Sequence, residues 1–157
     1  MNLFIRALLL SLAVSAHPVA ADESRITFAL GQQTATSSPE VQVRYRADPV
    51  LRHVQPIFGA SLAANGSAWL GAGAGITWRS ATSGIFLRVS SMAGLHRRGN
   101  GPDLGGALQF RTGLEFGVRP QNGFEYGVGM DHRSNAGIKK PNPGLNTIYV
   151  FLTLPKG

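Results

Sequence analysis

From Leu108 to Val118 the chain reads Leu-Gln-Phe-Arg-Thr-Gly-Leu-Glu-Phe-Gly-Val, apolar at the even positions except Thr112 and polar or Gly at the odd ones. A period of two sends alternate side chains to opposite faces of an extended strand, and it does not fit the 3.6-residue repeat of an amphipathic helix. The next segment keeps the parity, with Phe124, Tyr126, Val128 and Met130 on one face and Glu125, Gly127, Gly129 and Asp131 on the other. Pro120-Gln121-Asn122-Gly123 between them has the chemistry of a hairpin turn. The same alternation predicts strands near 24–33, 40–47, 55–64, 68–79, 84–95 and 146–154, which makes eight. An even number of alternating segments of about ten residues predicts an all-β fold, an eight-stranded antiparallel barrel.

Alternation alone does not say which face is outside, so composition has to decide between a soluble barrel and an outer-membrane one. The polar face carries Gly71, Gly73, Gly75, Gly113, Gly117, Gly127 and Gly129 with Arg44, Arg88, Arg111, Glu115, Glu125 and Asp131 among them. Small residues with a few opposite charges suit a narrow, filled lumen, whereas a soluble barrel covers its exterior with Lys and Glu. Charged residues make up only 15% of the chain, against roughly 25% in ordinary soluble domains. The start of the chain points the same way. Arg6, the apolar run Ala7–Val14, Pro18 and the small residues Val19-Ala20-Ala21 read as a secretory signal over 1–21, with the barrel domain over 22–157. That apolar run is shorter than the ~20 residues a spanning helix needs. The expectation is therefore an outer-membrane β-barrel in a bacterial outer membrane.

A net charge of +7, with 12 of the 15 cations Arg, suggests an anionic partner. In an exported barrel that partner is phosphorylated lipid and not nucleic acid. With the termini on the periplasmic side, the segments near 34–39, Asn65-Gly66, 96–104 and 135–145 face outward, so His96-Arg97-Arg98 and Lys139-Lys140 meet the anionic leaflet. The absence of Cys excludes thiolate metal sites and cysteine nucleophiles, and His53, His96 and His132 have no metal-ligand spacing. No metal or cofactor is expected. Among the strands, the seventh breaks the rule: its apolar parity runs on from Met130 into His132 and Ser134. Residues i and i+2 share a face, so the imidazole can take a proton from the Ser134 hydroxyl. The same spacing also describes a strand that has left the apolar belt.

The longer stretch His132-Arg133-Ser134-Asn135-Ala136-Gly137-Ile138-Lys139-Lys140-Pro141-Asn142-Pro143-Gly144 resembles the catalytic segment of the lipid A 3-O-deacylase family, and it also stands before the last strand. The resemblance is specific over about 123–154 and architectural before that. It implies an eight-stranded outer-membrane barrel that removes the 3-O-linked acyl chain of lipid A with a Ser–His–Glu triad on its lipid-facing surface. Carried over, Ser134 matches the nucleophile, His132 the general base, and Asn135 with Gly137 the oxyanion-stabilising region, while Lys139 and Lys140 would meet lipid phosphates. The family's acidic residue aligns with Asn146. A hairpin centred near Lys140 would set Asn146 opposite Ser134 and diagonal to His132, on the same face. Glu115, Glu125 and Asp131 have the inward parity and cannot replace the missing acid. The expected partners are lipid A or lipopolysaccharide and the outer membrane, with a homodimer left open. Two other readings stay in view: a catalytically silent barrel of the same family with a structural or interaction role, favoured by Asn146, and a soluble exported lipid-binding barrel with its apolar face inside.

Overall fold

The computed structural model describes residues 17–18, 23–51 and 53–155. Eight strands form the wall: β1 (Arg25–Gln33), β2 (Ser38–Arg46), β3 (Gln55–Ala63), β4 (Ala68–Arg79), β5 (Ile85–Arg97), β6 (Leu108–Val118), β7 (Glu125–Ser134) and β8 (Leu145–Thr153). Each pairs antiparallel with its neighbours in sequence, and β1 pairs with β8, so the sheet closes without a free edge. No helix occurs among the described residues. The predicted signal segment lies outside them except for His17 and Pro18, which pair with Arg79 and Trp78 of β4.

The barrel is inside out. Leu30, Val41, Phe58, Leu70, Leu95, Leu114, Phe116, Val128, Ile148 and Val150 all project from the outer wall, exposed. The buried side chains are largely polar, among them Glu40, Gln42, Arg44, Arg88, Arg111, Glu115, Glu125, Asp131 and Arg133. This is what the parity of each strand demands once the apolar face is turned outward, and it removes the soluble reading with its apolar face inside.

Most of the ion pairs join strands that are not neighbours. Glu125 is held by Arg46, Arg79 and Arg88 at 2.8, 2.7 and 2.8 Å. Arg44 bridges Glu115 at 2.6 Å and Asp131 at 2.8 Å, and Arg111 bonds both Asp131 and Glu40. Six arginines are buried, at positions 25, 44, 46, 88, 111 and 133. Half of the twelve arginines are thus taken up by a closed lumen lined with carboxylates, and the other half lie outside this buried set. Gly129 leaves room for the ring of Tyr149, which a Cβ at that position would overlap. Buried apolar side chains form two small clusters, Ala29, Phe86, Tyr149 and Phe151, and Ile57, Trp69 and Met92, with Ala63, Leu104 and Leu145 buried apart from them.

At one end lie the connections 47–54, 80–84 and 119–124. At the other lie 34–37, 64–67, 98–107 and 135–144, and the two longest pack together. Leu104 turns into the barrel mouth, where it is 2% exposed. Asn135 Nδ2 donates to its carbonyl at 2.8 Å. His96, expected in an outward loop, is instead an inward residue of β5, 8% exposed, with Nδ1 3.1 Å from the Ala68 carbonyl oxygen.

Candidate active site

β7 and β8 carry the site on the outer wall, near the end where the two long loops meet. Their register pairs His132 with Asn146 and Arg133 with Leu145. The hairpin is thus centred one residue earlier than expected, so Asn146 stands directly opposite His132 and diagonal to Ser134. The face is as predicted and the partner is not. Gly144, just before β8, adopts φ 72°, a left-handed conformation that ends the extended strand.

Asn146 Oδ1 lies 2.8 Å from His132 Nδ1. An amide oxygen accepts only, so Nδ1 carries the proton and Nε2 keeps its lone pair, the tautomer a general base needs. A Cβ built on Gly144 would come 2.7 Å from His132 Cε1 and 3.4 Å from Nε2. The ring is therefore seated between the Asn146 amide and the Gly144 backbone, reaching along the strand toward the level of Ser134. Ser134 is half-buried and shares the outward parity of the exposed His132 and Asn146.

The loop that follows is built on Asn135, which is 2% exposed. Its backbone N–H donates to Asn142 Oδ1 at 3.0 Å, and its side-chain amide donates to the carbonyls of Leu104 and Lys139 at 2.8 and 2.6 Å. Its Oδ1 accepts from the Gly137 N–H at 2.9 Å. Both N–H groups expected in the oxyanion-stabilising region are thus already donating within the protein. Asn135 acts here as the organiser of the loop next to Ser134. Gly105, at φ 78°, has no room for a side chain, because a Cβ there would press on Asn135 Nδ2 and on the carbonyl oxygens of Pro141 and Lys139. Lys139 and Lys140 are exposed on the same loop, whereas Arg98 of the neighbouring loop pairs with Asp103 at 3.5 Å.

Gly144, Asn142, Leu104 and Gly105 had no assigned role in the sequence. Only the first carried a signal, since a Gly just before a strand marks a backbone turn. Among the described residues, no group of three or more His, Asp, Glu or Cys side chains stands together as metal ligands.

A closed barrel with its apolar side chains outward and an imidazole–amide pair beside a serine on the wall defines a small membrane-type barrel with a hydrolase-like cluster. A family model described as Lipid A 3-O-deacylase (PagL) matches residues 27–155, and the chain belongs to that family. Lipid A deacylase PagL of Pseudomonas aeruginosa is 38% identical over 53 residues, which cover 34% of this chain and 31% of that protein. Lipid A deacylase PagL of Bordetella bronchiseptica is 44% identical over 52 residues, 32% of this chain and 28% of that one. These matches therefore span under a third of either relative. The crystal structure of the outer membrane enzyme PagL superposes with a TM-score of 0.69 at 21% identity, covering 84% of this chain and 99% of that one. A designed transmembrane β-barrel gives 0.61 at 10% identity over 85% of this chain and 97% of its own.

Proposed function

We propose that the protein is an outer-membrane serine esterase that removes the 3-O-linked acyl chain of lipid A. The observation that carries this reading is the 2.8 Å contact between His132 Nδ1 and Asn146 Oδ1 on the outer wall beside Ser134. Nε2 takes the Ser134 proton as Oγ attacks the ester carbonyl, and the tetrahedral intermediate forms. As it collapses, the imidazolium returns the proton to the departing sugar oxygen and the acyl group stays on Ser134. Water, deprotonated by the same nitrogen, then releases the fatty acid and restores the serine. The Asn135–Gly137 loop supplies the oxyanion contacts in this reading, by exchanging Asn142 Oδ1 and Asn135 Oδ1 for the substrate oxygen. Lys139 and Lys140 face the lipid phosphates.

The outer wall offers the released chain a place. An apolar groove lined by Leu30, Val128, Ile148 and Val150 begins one outward residue below Asn146. The test is mass spectrometry of lipid A from cells expressing the parent or Ser134→Ala. The parent is expected to yield lipid A lighter by one hydroxyacyl chain, and Ser134→Ala unmodified lipid A with an intact, heat-modifiable barrel. Unmodified lipid A in both would favour the second reading, a silent barrel of the family, which rests on an amide at position 146 where the family carries an acid.

A further inference from the structure

Thr112 breaks the apolar parity of β6, and the register shows where that break leads. Thr112 is the cross-strand partner of His132 on one side and of Ser91 on the other. Ser91, Thr112, His132 and Asn146 therefore form one row across four strands, and all four side chains are exposed on the outer wall. The row below it is Val89, Leu114, Met130 and Ile148, entirely apolar, and above it stand Ala93, Phe110 and Ser134.

Ser91 is the central residue of β5, and Thr112 lies in the middle of β6, so neither has left the apolar belt at a strand end. A hydroxyl facing hydrocarbon loses its hydrogen bonds to water unless something in the lipid replaces them. The row contains no charged group besides the imidazole, which suits a neutral dipolar partner and not a phosphate. Strand spacing puts Thr112 about 5 Å from His132 and Ser91 about 5 Å beyond it. Thr112 is also the diagonal neighbour of Ser134 across the β6–β7 pair, so an ester carbonyl held at the serine brings the linkage of a second chain on the adjacent sugar carbon within reach of the threonine hydroxyl.

Building on the esterase reading, we infer that Thr112 and Ser91 form a subsite for the amide linkage of the acyl chain next to the scissile one. Thr112 Oγ1 donates to the amide carbonyl or accepts from its N–H, Ser91 extends the strip, and the second chain lies over Leu114 and Val89. The protein then grips two chains of its substrate and favours multiply acylated lipids over single-chain esters.

The experiment uses the detergent-solubilised protein and two probes: a glucosamine bearing an O-acyl ester with a neighbouring N-acyl chain, and a matched single-chain glucose ester. Thr112→Val keeps shape and strand preference but removes the hydroxyl. It is expected to raise KM for the amide-bearing probe about 3- to 10-fold with little change in kcat, the range set by one lost hydrogen bond. The single-chain ester should be unaffected, and Thr112→Ser should restore the parent KM. Equal effects of Thr112→Val on both probes, or none on either, would overturn the subsite. Hydrolysis of the single-chain ester by the parent reports on the esterase reading alone. If the parent cleaves neither probe, binding of the amide-bearing probe decides: weaker titration to Thr112→Val than to the parent supports the subsite, and equal binding overturns it.

Discussion

Replacing Asn146 by Asp exchanges the amide for a carboxylate of the same length, so an oxygen can occupy the position now 2.8 Å from His132 Nδ1. In the ground state the gain is small, because the imidazole is neutral and a neutral acceptor already holds it. In the transition state the imidazole becomes imidazolium, and the acceptor's charge then matters. A hydrogen bond between neutral groups contributes about 0.5–1.5 kcal/mol, and one to a charged group about 1.5–3 kcal/mol. The difference of about 1–2 kcal/mol appears almost wholly in the barrier, which corresponds to a rise in kcat of about 5- to 30-fold. A second effect has the same sign: an amide can rotate to present Nδ2 and stabilise the wrong tautomer, whereas a carboxylate cannot donate. Asn146→Ala removes the acceptor and should lower kcat by about 2- to 12-fold. Initial rates of fatty-acid release from lipid A in mixed micelles at neutral pH measure all three proteins. An Asn146→Asp rate no higher than the parent's would refute the assignment of His132 as the base oriented by residue 146.

Gly144→Ala should depress kcat at least tenfold in the same assay while leaving the barrel folded, since its Cβ would sit 2.7 Å from His132 Cε1 and displace the ring. Asp131→Asn should destabilise the barrel by about 3 kcal/mol, read as a lower denaturant midpoint, because a buried charge partner is removed. The loss stays near that figure because Arg44 keeps Glu115 and Arg111 keeps Glu40.

The strands were legible because a barrel wall imposes one rule on every residue, and the sequence obeys it with few exceptions. Four of those exceptions, Ser91, Thr112, His132 and Ser134, belong to one region of the outer face. What could not be read was anything set by long-range geometry. The ten residues between Ser134 and Leu145 do not determine register, so the partner of Asn146 was misplaced by two positions although its face was right. Likewise, a count of arginines does not reveal that Arg44, Arg88 and Arg111 would find Glu115, Glu125 and Glu40 across the lumen, since those partners lie on strands that are not their neighbours. Asn135 matched a functional position, yet its hydrogen bonds depend on Leu104, which the sequence separates from it by 31 residues.

The filled lumen has a kinetic consequence. Among the described residues, Arg, Glu and Asp side chains cross and fill the interior, so under the proposed function a lipid substrate reaches His132 and Ser134 by moving sideways along the wall. Encounter is then a two-dimensional search. The variable that governs saturation is the mole fraction of substrate in the surrounding amphiphile, so adding detergent at constant bulk substrate slows the reaction by surface dilution.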